Sequence, residues 1–326
     1  MKTSIKNILI SLSLICFFCI ESNAQALKVQ HDLVVAKDGS GDFRYIQDAI
    51  NAVRVYLPKP ITIKIKKGIY KEKLQVYSTL TNITFVGENL DSTIISYDDY
   101  SGKGKMETFD SYTLKVEGND IKFKNLTIEN TAGRVGQAVA LHVEGDRCTF
   151  ENCKFLGNQD TIFASGENAR QYFTNCYIEG TVDFIFGSST ALFEKCRVHS
   201  KTDGYITAAS TPKWVAYGYV FKDCKLTADE TATKVYLGRP WRDFAKTVFI
   251  NCEMGSHILP EGWNNWGRPE VEKTVFYAEF GSKNAGSQLQ NRVKWSHQLN
   301  EKEALIYTKE EIFAGKLLTT IPRFLE

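Results

Sequence analysis

The apolar positions of this chain fall in short, strand-like runs broken by Asn, Asp and Gly, rather than in helical stripes. Five runs share one pattern: TFENCKF from Thr149, YFTNCYI from Tyr172, LFEKCRV from Leu192, VFKDCKL from Val220 and VFINCEM from Val248. A sixth, KFKNLTI from Lys122, carries Leu126 in the cysteine place. Each has Phe three residues before the Cys or Leu, and usually Asn or Asp immediately before it. The steps from Leu126 to Cys153, Cys176, Cys196, Cys224 and Cys252 are 27, 23, 20, 28 and 28 residues. Self-similarity at this period signals a solenoid whose repeats are single supersecondary units. The β-branched and aromatic content favours strands over helices. The pattern therefore predicts an all-β chain, a parallel β-helix whose coils stack about 4.8 Å apart.

The ends predict helices. In GDFRYIQDAINAV, Asp42 is placed to cap a helix whose Ile46, Ala49, Ile50 and Val53 share one face, so that it covers the open end of the first coil. TKEEIFAGKLL from Thr308 predicts a second, C-terminal helix. Both have structural rather than functional signatures.

Composition changes the picture at the start of the chain. Lys2 and Lys6, the apolar run Ile8 to Ile20 and the small-residue site Ser22-Asn23-Ala24 form a signal-peptide pattern. Ile15 and Phe18, which precede Cys16 and Cys19, are too large for a lipoprotein site. Residues 1–24 are thus read as a cleaved signal peptide, and 25–326 as one β-helix domain exported to the periplasm or the medium. The run is too short to span a membrane, and no other segment is long and apolar enough. Net charge is +2 and becomes about +1 without Lys2, Lys6 and Glu21, so nothing favours nucleic acid or anionic membrane as a partner. Six cysteines remain, Cys148, Cys153, Cys176, Cys196, Cys224 and Cys252. An even count in an exported protein favours bridges as a starting point. Their repeat positions instead point to an internal ladder of free thiols, with Cys148 outside the repeat. No CxxC pair or histidine spacing suits a metal.

The repeat also gives carboxylates a register. Asp160 and Asp183 each lie seven residues after a repeat cysteine, one coil apart, and Gln137 precedes Asp160 by the same 23 residues. Gln159 adjoins Asp160. Two carboxyls and two amides on one patch suit acid–base work, because neighbouring carboxyls push their pKa values apart. Arg239, in LGRPW, is a cation able to hold one of them ionised, although counting does not fix its coil. Register alone does not make an aspartate catalytic: Asp203 has the same offset from Cys196. A glycoside hydrolase, which also needs paired carboxylates, stays open at this point. There is no GxSxG elbow, and GSGDFR lacks a phosphate-loop GK[ST].

The motifs VVAKDGSGDFRYIQDAI from Val34, GIYKE at Gly68, GQAVAL at Gly136, GNQDTIF at Gly157, VDFIFG at Val182 and LGRPW at Leu237 follow one another in the order of the pectin methylesterases. The chain resembles that family over almost its whole mature length. The resemblance implies a right-handed parallel β-helix and removal of methyl esters from the galacturonate of homogalacturonan (pectin), with no metal or organic cofactor. It implies Asp183 as nucleophile, Asp160 as general acid and base, Gln137 and Gln159 as oxyanion donors, and Arg239 as the holder of the nucleophile. It places Phe186, Trp241, Val182 and Trp263 against the sugar. Phe163 stands where the family often has Tyr, and ITAAS from Ile206 is less polar than usual. The lack of a long pro-region points to a bacterial-type enzyme, expected as a monomer. The alternatives are a β-helix pectin lyase or polygalacturonase, a non-pectin esterase relative, and a non-enzymatic carbohydrate-binding β-helix. A lyase wants a calcium-binding Asp cluster or a basic proton abstractor, and a polygalacturonase wants further paired aspartates.

Overall fold

The computed structural model describes residues 30–314, so the stretch read as a signal peptide and the distal part of the predicted C-terminal helix lie outside it. Among the described residues the strands form one eleven-stranded and one thirteen-stranded sheet, with parallel pairing. The repeat spacing is the register itself. Thr127 pairs with Lys154, Lys154 with Tyr177, Tyr177 with Arg197, Arg197 with Lys225 and Lys225 with Glu253. Each of these residues directly follows a repeat Leu or Cys, so each step of the sequence pattern is one coil of a parallel β-helix.

The six repeat phenylalanines, extended by Phe85 one coil earlier, line the interior of the eleven-stranded sheet. Phe85, Phe123, Phe150, Phe173, Phe193, Phe221 and Phe249 stack one above the next with successive centroids 4.6, 5.5, 4.7, 4.6, 4.6 and 4.5 Å apart. Such stacking adds about 0.5–1.5 kcal/mol per pair beyond burial. The residue before each repeat Cys or Leu makes the corner. Asn125, Asn152, Asn175, Lys195, Asp223 and Asn251 have φ between 50° and 62°. Asn and Asp enter this left-handed region more readily than other non-glycine residues, which explains the preference at that place. All six cysteines, Cys148 included, are buried and free. Their thiols reach backbone carbonyls, as Cys176 Sγ does to Phe150 O at 3.4 Å.

The thirteen-stranded sheet is two faces of the coil joined by long strands. Tyr177–Gly187 and Arg197–Ala209 run through both, whereas neighbouring coils use separate strands such as Lys154–Leu156 and Ile162–Ala164. Leu141–Val143, Ile162–Ala164, the second half of Tyr177–Gly187 and Val235–Gly238 belong to the face that carries the candidate site.

The N-terminal helix α1 (Ile46–Ala52) buries Ile46, Ala49 and Ile50 against the first coil, as its spacing predicts. Asp42 is not its cap. The Asp42 carboxylate instead accepts from Val34 N at 2.7 Å, because the chain turns back there toward the first strand. The first turn of α1 is capped from a distance by Glu72, whose two oxygens accept from Ile46 N and Gln47 N, both at 3.0 Å. At the other end, α2 (Glu301–Ala304) opens with a capping box of Asn300 and Glu303. The helix expected from Thr308 begins there as α3 (Lys309–Phe313). It lies on the flank, against the strand Thr190–Glu194. There Ile312 joins Leu192, Val220 and Val248, the outward neighbours of the phenylalanine stack. No helix among the described residues is long and apolar enough to cross a membrane.

Candidate active site

The stretch Gly180 to Gly187 does not alternate as a plain strand would. Its pairing with Arg197–Ala209 shifts register between Gly180 and Val182 and again between Val182 and Ile185. Asp183 sits in this irregularity with φ 51°. The kink sends Phe184 and Ile185, adjacent in sequence, both into the core, and Asp183 and Phe186 to the outer face. Gly180 makes room for the fold-back, since a Cβ there would lie 2.1 Å from that of Phe184. Asp160, one coil earlier, has the same backbone device with φ 65°, and its N–H donates to Val182 O at 3.2 Å. The amides are offset from the simple count. Gln137 pairs with Gln159, 22 residues on, rather than with Asp160.

Asp183, Asp160, Gln137 and Gln159 line one cavity of about 250 Å³ together with Arg239, Phe186, Trp241, Thr108, Phe109, Ala208 and Trp266. Arg239 reaches Asp183 as a two-pronged fork, with Nε 2.9 Å from Oδ1 and Nη2 2.6 Å from Oδ2. The guanidinium is itself sandwiched, with its carbon 3.9 Å from the Tyr205 ring centroid and 3.7 Å from that of Trp266. Its backbone is fixed where Arg239 N donates to Thr207 O at 2.9 Å. The LGRPW segment passes this close because residue 238 is glycine: a Cβ there would lie 2.1 Å from Thr207 Oγ1.

The two carboxyls differ in their surroundings. Asp183 is 5% exposed, and burial raises its pKa while the Arg239 fork opposes the rise. Asp160 is 6% exposed, and burial, then the nearby Asp183 charge, push it well above the usual carboxylate range. Arg239 opposes that only at a distance. No protein group among the described residues hydrogen-bonds the Asp160 carboxyl. One acid is thereby tied to a cation and the other is left to hold a proton, which is the division of labour that acid–base chemistry on an ester or acetal requires.

Aromatic rings form the cavity wall. Phe109 lies 4.8 Å from Phe163, Phe163 4.7 Å from Phe186, and Phe186 5.9 Å from Trp241, centroid to centroid. Phe163 therefore backs the wall as a ring without a hydroxyl. The segment bearing Gln137 and Phe109 is tied down by one buried amide. Asn130 Nδ2 donates to Asp99 O, Ser111 O and Val139 O at 2.8, 3.0 and 3.1 Å.

Two residues expected at the sugar lie outside the cavity lining. Trp263 is only 1% exposed and stacks 4.4 Å from Tyr277, so its ring belongs to the core. Val182 is half-buried, pairs with Tyr205 and is not part of the cavity lining. The tryptophan that reaches the cavity is Trp266, three residues on in the same PEGWNNW stretch, on a turn with φ 58°. Thr108 and Phe109, on the short 3-10 helix Thr108–Asp110, and Trp266 were missed because the coil count does not place these connecting segments. Asp203, the register look-alike, has a turn-holding role: its carboxylate accepts from Thr233 N and Lys234 N at 2.7 and 2.8 Å.

A parallel β-helix with a split pair of buried carboxyls in an open, aromatic-walled cavity is built as a site for acid–base chemistry on an extended ligand. Comparison with known proteins narrows the class. The pectinesterase family model matches residues 32–316, and the chain belongs to that family. It is 39% identical over 281 residues to Pectinesterase 31 of Arabidopsis thaliana, covering 83% of this chain and 88% of that protein. It is 37% identical over 310 residues to the probable pectinesterase/pectinesterase inhibitor 23 of the same plant, covering 90% of this chain but only 54% of that longer protein. Among solved structures, the pectin methylesterase from carrot matches with a TM-score of 0.82 at 31% identity, covering 87% of this chain and 93% of that one. PemA from Erwinia chrysanthemi matches with a TM-score of 0.75 at 30% identity, covering 86% and 96%. These matches bear out the right-handed parallel β-helix. The bacterial-type expectation is not borne out. The Arabidopsis relatives are plant proteins, and Pectinesterase 31, matched over most of its length, itself leaves little room for a long pro-region.

Proposed function

We propose that this chain is a pectin methylesterase that hydrolyses the methyl esters of galacturonate in homogalacturonan, releasing methanol. The observation that carries the reading is the Asp183–Arg239 fork beside an Asp160 carboxyl with no hydrogen-bonded partner among the described residues, in the cavity that also holds Gln137 and Gln159. A carboxylate oxygen of Asp183 attacks the ester carbonyl carbon. The negative charge moves to the carbonyl oxygen, toward which the amide N–H groups of Gln137 and Gln159 donate. Collapse breaks the carbon–methoxy bond as protonated Asp160 gives its proton to the leaving oxygen, and methanol departs. An anhydride now joins Asp183 to the sugar carboxyl. Asp160, ionised, takes a proton from water, whose oxygen attacks the anhydride and breaks its bond to Asp183; Asp183 leaves as carboxylate, Asp160 is again protonated, and the galacturonic acid formed gives up its proton to solvent. One water is consumed and one methanol released. A carboxylate is a weak nucleophile, so fixed geometry supplies much of the acceleration.

The same reading takes residues 25–326 as one exported catalytic domain, acting as a monomer after loss of residues 1–24. It takes Phe186, Trp241 and Trp266 as ring faces for the sugar chain. The test is to incubate purified protein with highly methylated pectin and to measure methanol, unsaturated ends and reducing ends separately. Methanol alone supports the esterase, whereas unsaturated or reducing ends without methanol identify a lyase or polygalacturonase and overturn it. Asp183→Ala abolishes turnover while keeping the circular-dichroism spectrum; substantial residual activity refutes the nucleophile assignment.

A further inference from the structure

Three consecutive carbonyls behind one side of the cavity are held by side chains distant in sequence. The Phe109 carbonyl accepts from His142 Nδ1 at 3.1 Å, the Asp110 carbonyl from Lys73 Nζ at 2.5 Å, and the Ser111 carbonyl from Asn130 Nδ2 at 3.0 Å. Together they fix the turn Thr108–Asp110, whose Thr108 and Phe109 line the cavity. Lys73 is also paired with Asp99 at 2.6 Å, and an amide has no proton to lose. Histidine is the side chain that changes charge in the physiological range, so one of the three ties can respond to pH.

His142 is 2% exposed and stands on the face that carries the site, pairing with Lys115 one coil earlier and with Phe163 one coil later. Phe163 in turn pairs with Phe186 of the cavity lining. The His142 ring lies 4.7 Å from Phe163 and 6.1 Å from Tyr112, centroid to centroid. Its second nitrogen, Nε2, is 2.7 Å from Glu144 Oε1. A carbonyl can only accept, and so can an ionised carboxylate. Glu144 is held ionised, its pKa lying below the usual value first through the His142 hydrogen bond. Both ring nitrogens therefore donate, and His142 is an imidazolium. The charged and titratable groups around it are Glu144, Lys115 and Glu117 of the preceding coil, and Tyr112 and Asp110 of the wall segment. Lys115 Nζ is shared between Glu117 and Glu144, at 3.1 and 3.9 Å, which leaves Glu144 as the anion facing the ring.

On loss of one proton only one ring nitrogen can donate. The remaining proton stays on Nε2, because an anionic carboxylate is a stronger acceptor than a carbonyl. Nδ1 then turns a lone pair toward the Phe109 carbonyl, and that tie is lost. We infer that His142 is a positioning residue for the cavity wall: as an imidazolium it holds Phe109 in place through its carbonyl, and loss of the proton frees that part of the wall. The inference rests on the esterase reading only for its effect on turnover.

The experiment measures KM and kcat for methanol release from highly methylated pectin across about pH 5 to 9, in wild type and two uncharged variants no larger than histidine. The amide of His142→Asn takes the place of Nδ1 and still donates to the Phe109 carbonyl, whereas that of His142→Gln takes the place of Nε2 and reaches Glu144 alone. Relative to His142→Asn, whose tie to Phe109 does not titrate, wild-type KM rises about three- to tenfold as pH increases. His142→Gln has the higher KM at every pH, and kcat keeps one pH profile in all three. Hydrogen exchange of residues 107–112, compared between proteins at each pH, gives the same ordering without turnover: wild type moves from the slow exchange of His142→Asn to the fast exchange of His142→Gln. Exchange that is equal in the two variants, or a wild-type KM that keeps a constant ratio to both, overturns the inference. Wild-type protein that releases no methanol at any pH overturns the esterase reading instead, and the exchange measurement then decides the role of His142 alone.

Discussion

Asp160 has the surroundings of a group kept for chemistry at the expense of stability. Replacing it by Asn removes the charge while keeping the shape and the tolerance for φ 65°. Asp160 is 6% exposed, its carboxyl has no hydrogen-bonded partner among the described residues, and its pKa is raised well above the ordinary value of 3.8, first by burial and then by Asp183. A carboxyl whose folded pKa is raised favours the folded state in its neutral form. That contribution is complete below the unfolded pKa and is lost as pH rises through the folded pKa. The amide of Asp160→Asn does not titrate, so the variant gains on wild type as pH rises from about 3.8 and holds a constant margin above the folded pKa.

The size of that margin follows from the cost of holding a charge in a largely buried place beside a second carboxylate, roughly 1–3 kcal/mol. In a domain this large each kcal/mol moves the midpoint by about 2 °C. Asp160→Asn is therefore expected to melt roughly 2–6 °C above wild type at pH 7 and level with it below pH 3.8. Methanol release falls by about 10²–10⁴, the usual loss on removing a general acid–base. The assay is a pair of calorimetric scans at each pH, with methanol measured on the same samples. A variant that melts at or below wild type at neutral pH, or whose margin persists at pH 3, refutes the account of Asp160 as a costly buried acid.

Two further substitutions test other parts of the same reasoning. Arg239→Lys replaces the two-pronged contact with a single point charge, so burial raises the Asp183 pKa further and less carboxylate exists at any given pH. The acid limb of the kcat/KM profile moves to higher pH and activity at pH 7 drops about 10- to 100-fold; an unmoved limb refutes the fork's electrostatic role. Lys195, at φ 54°, holds the corner place that Asn or Asp fills on the other coils, and Lys195→Asn gains about 0.5–1 kcal/mol in urea unfolding, with a loss counting against the corner argument.

How much of this was legible in the sequence depends on how local the determining physics is. The coil register was fully readable, because a phenylalanine stack and a corner residue recur at the same place on each rung, and Thr127 to Lys154 and Tyr177 to Arg197 pair as the spacing requires. The partner of Asp183 was readable for the same reason, one rung being 23 residues there. Counting does not carry over to residues off the rungs, as Gln137 shows by pairing with Gln159 rather than Asp160. Asp42 resembled a helix cap by its position, yet the first turn of α1 is satisfied by Glu72, a residue distant in sequence. Trp263 and Trp266 lie in one motif and differ only in which side of a loop they occupy, and only the fold decides that Trp263 stacks on Tyr277 while Trp266 lies on Arg239.

Asp183 shows what the rungs alone do not specify. Plain strand alternation would turn it outward while its neighbours packed in; instead a left-handed residue breaks the strand and sends two consecutive apolar side chains inward. That is the device of the structural corners, where Asn125, Asn152 and Asn175 bend each coil. Asp160 and Asp183 use it at the third face of the coil, where the bend leaves a carboxyl facing the cavity rather than an amide facing solvent. An aspartate here answers two demands at once, since Asp is among the few side chains that tolerate the backbone and also the one that supplies the acid. The two can be separated: Asp183→Asn keeps the conformation and removes the nucleophile, whereas Asp183→Ala removes the nucleophile and adds a left-handed strain of about 1 kcal/mol. Identical stabilities of these two inactive variants in urea unfolding would show that the bend is imposed by the surrounding coils and owes nothing to the residue at its apex.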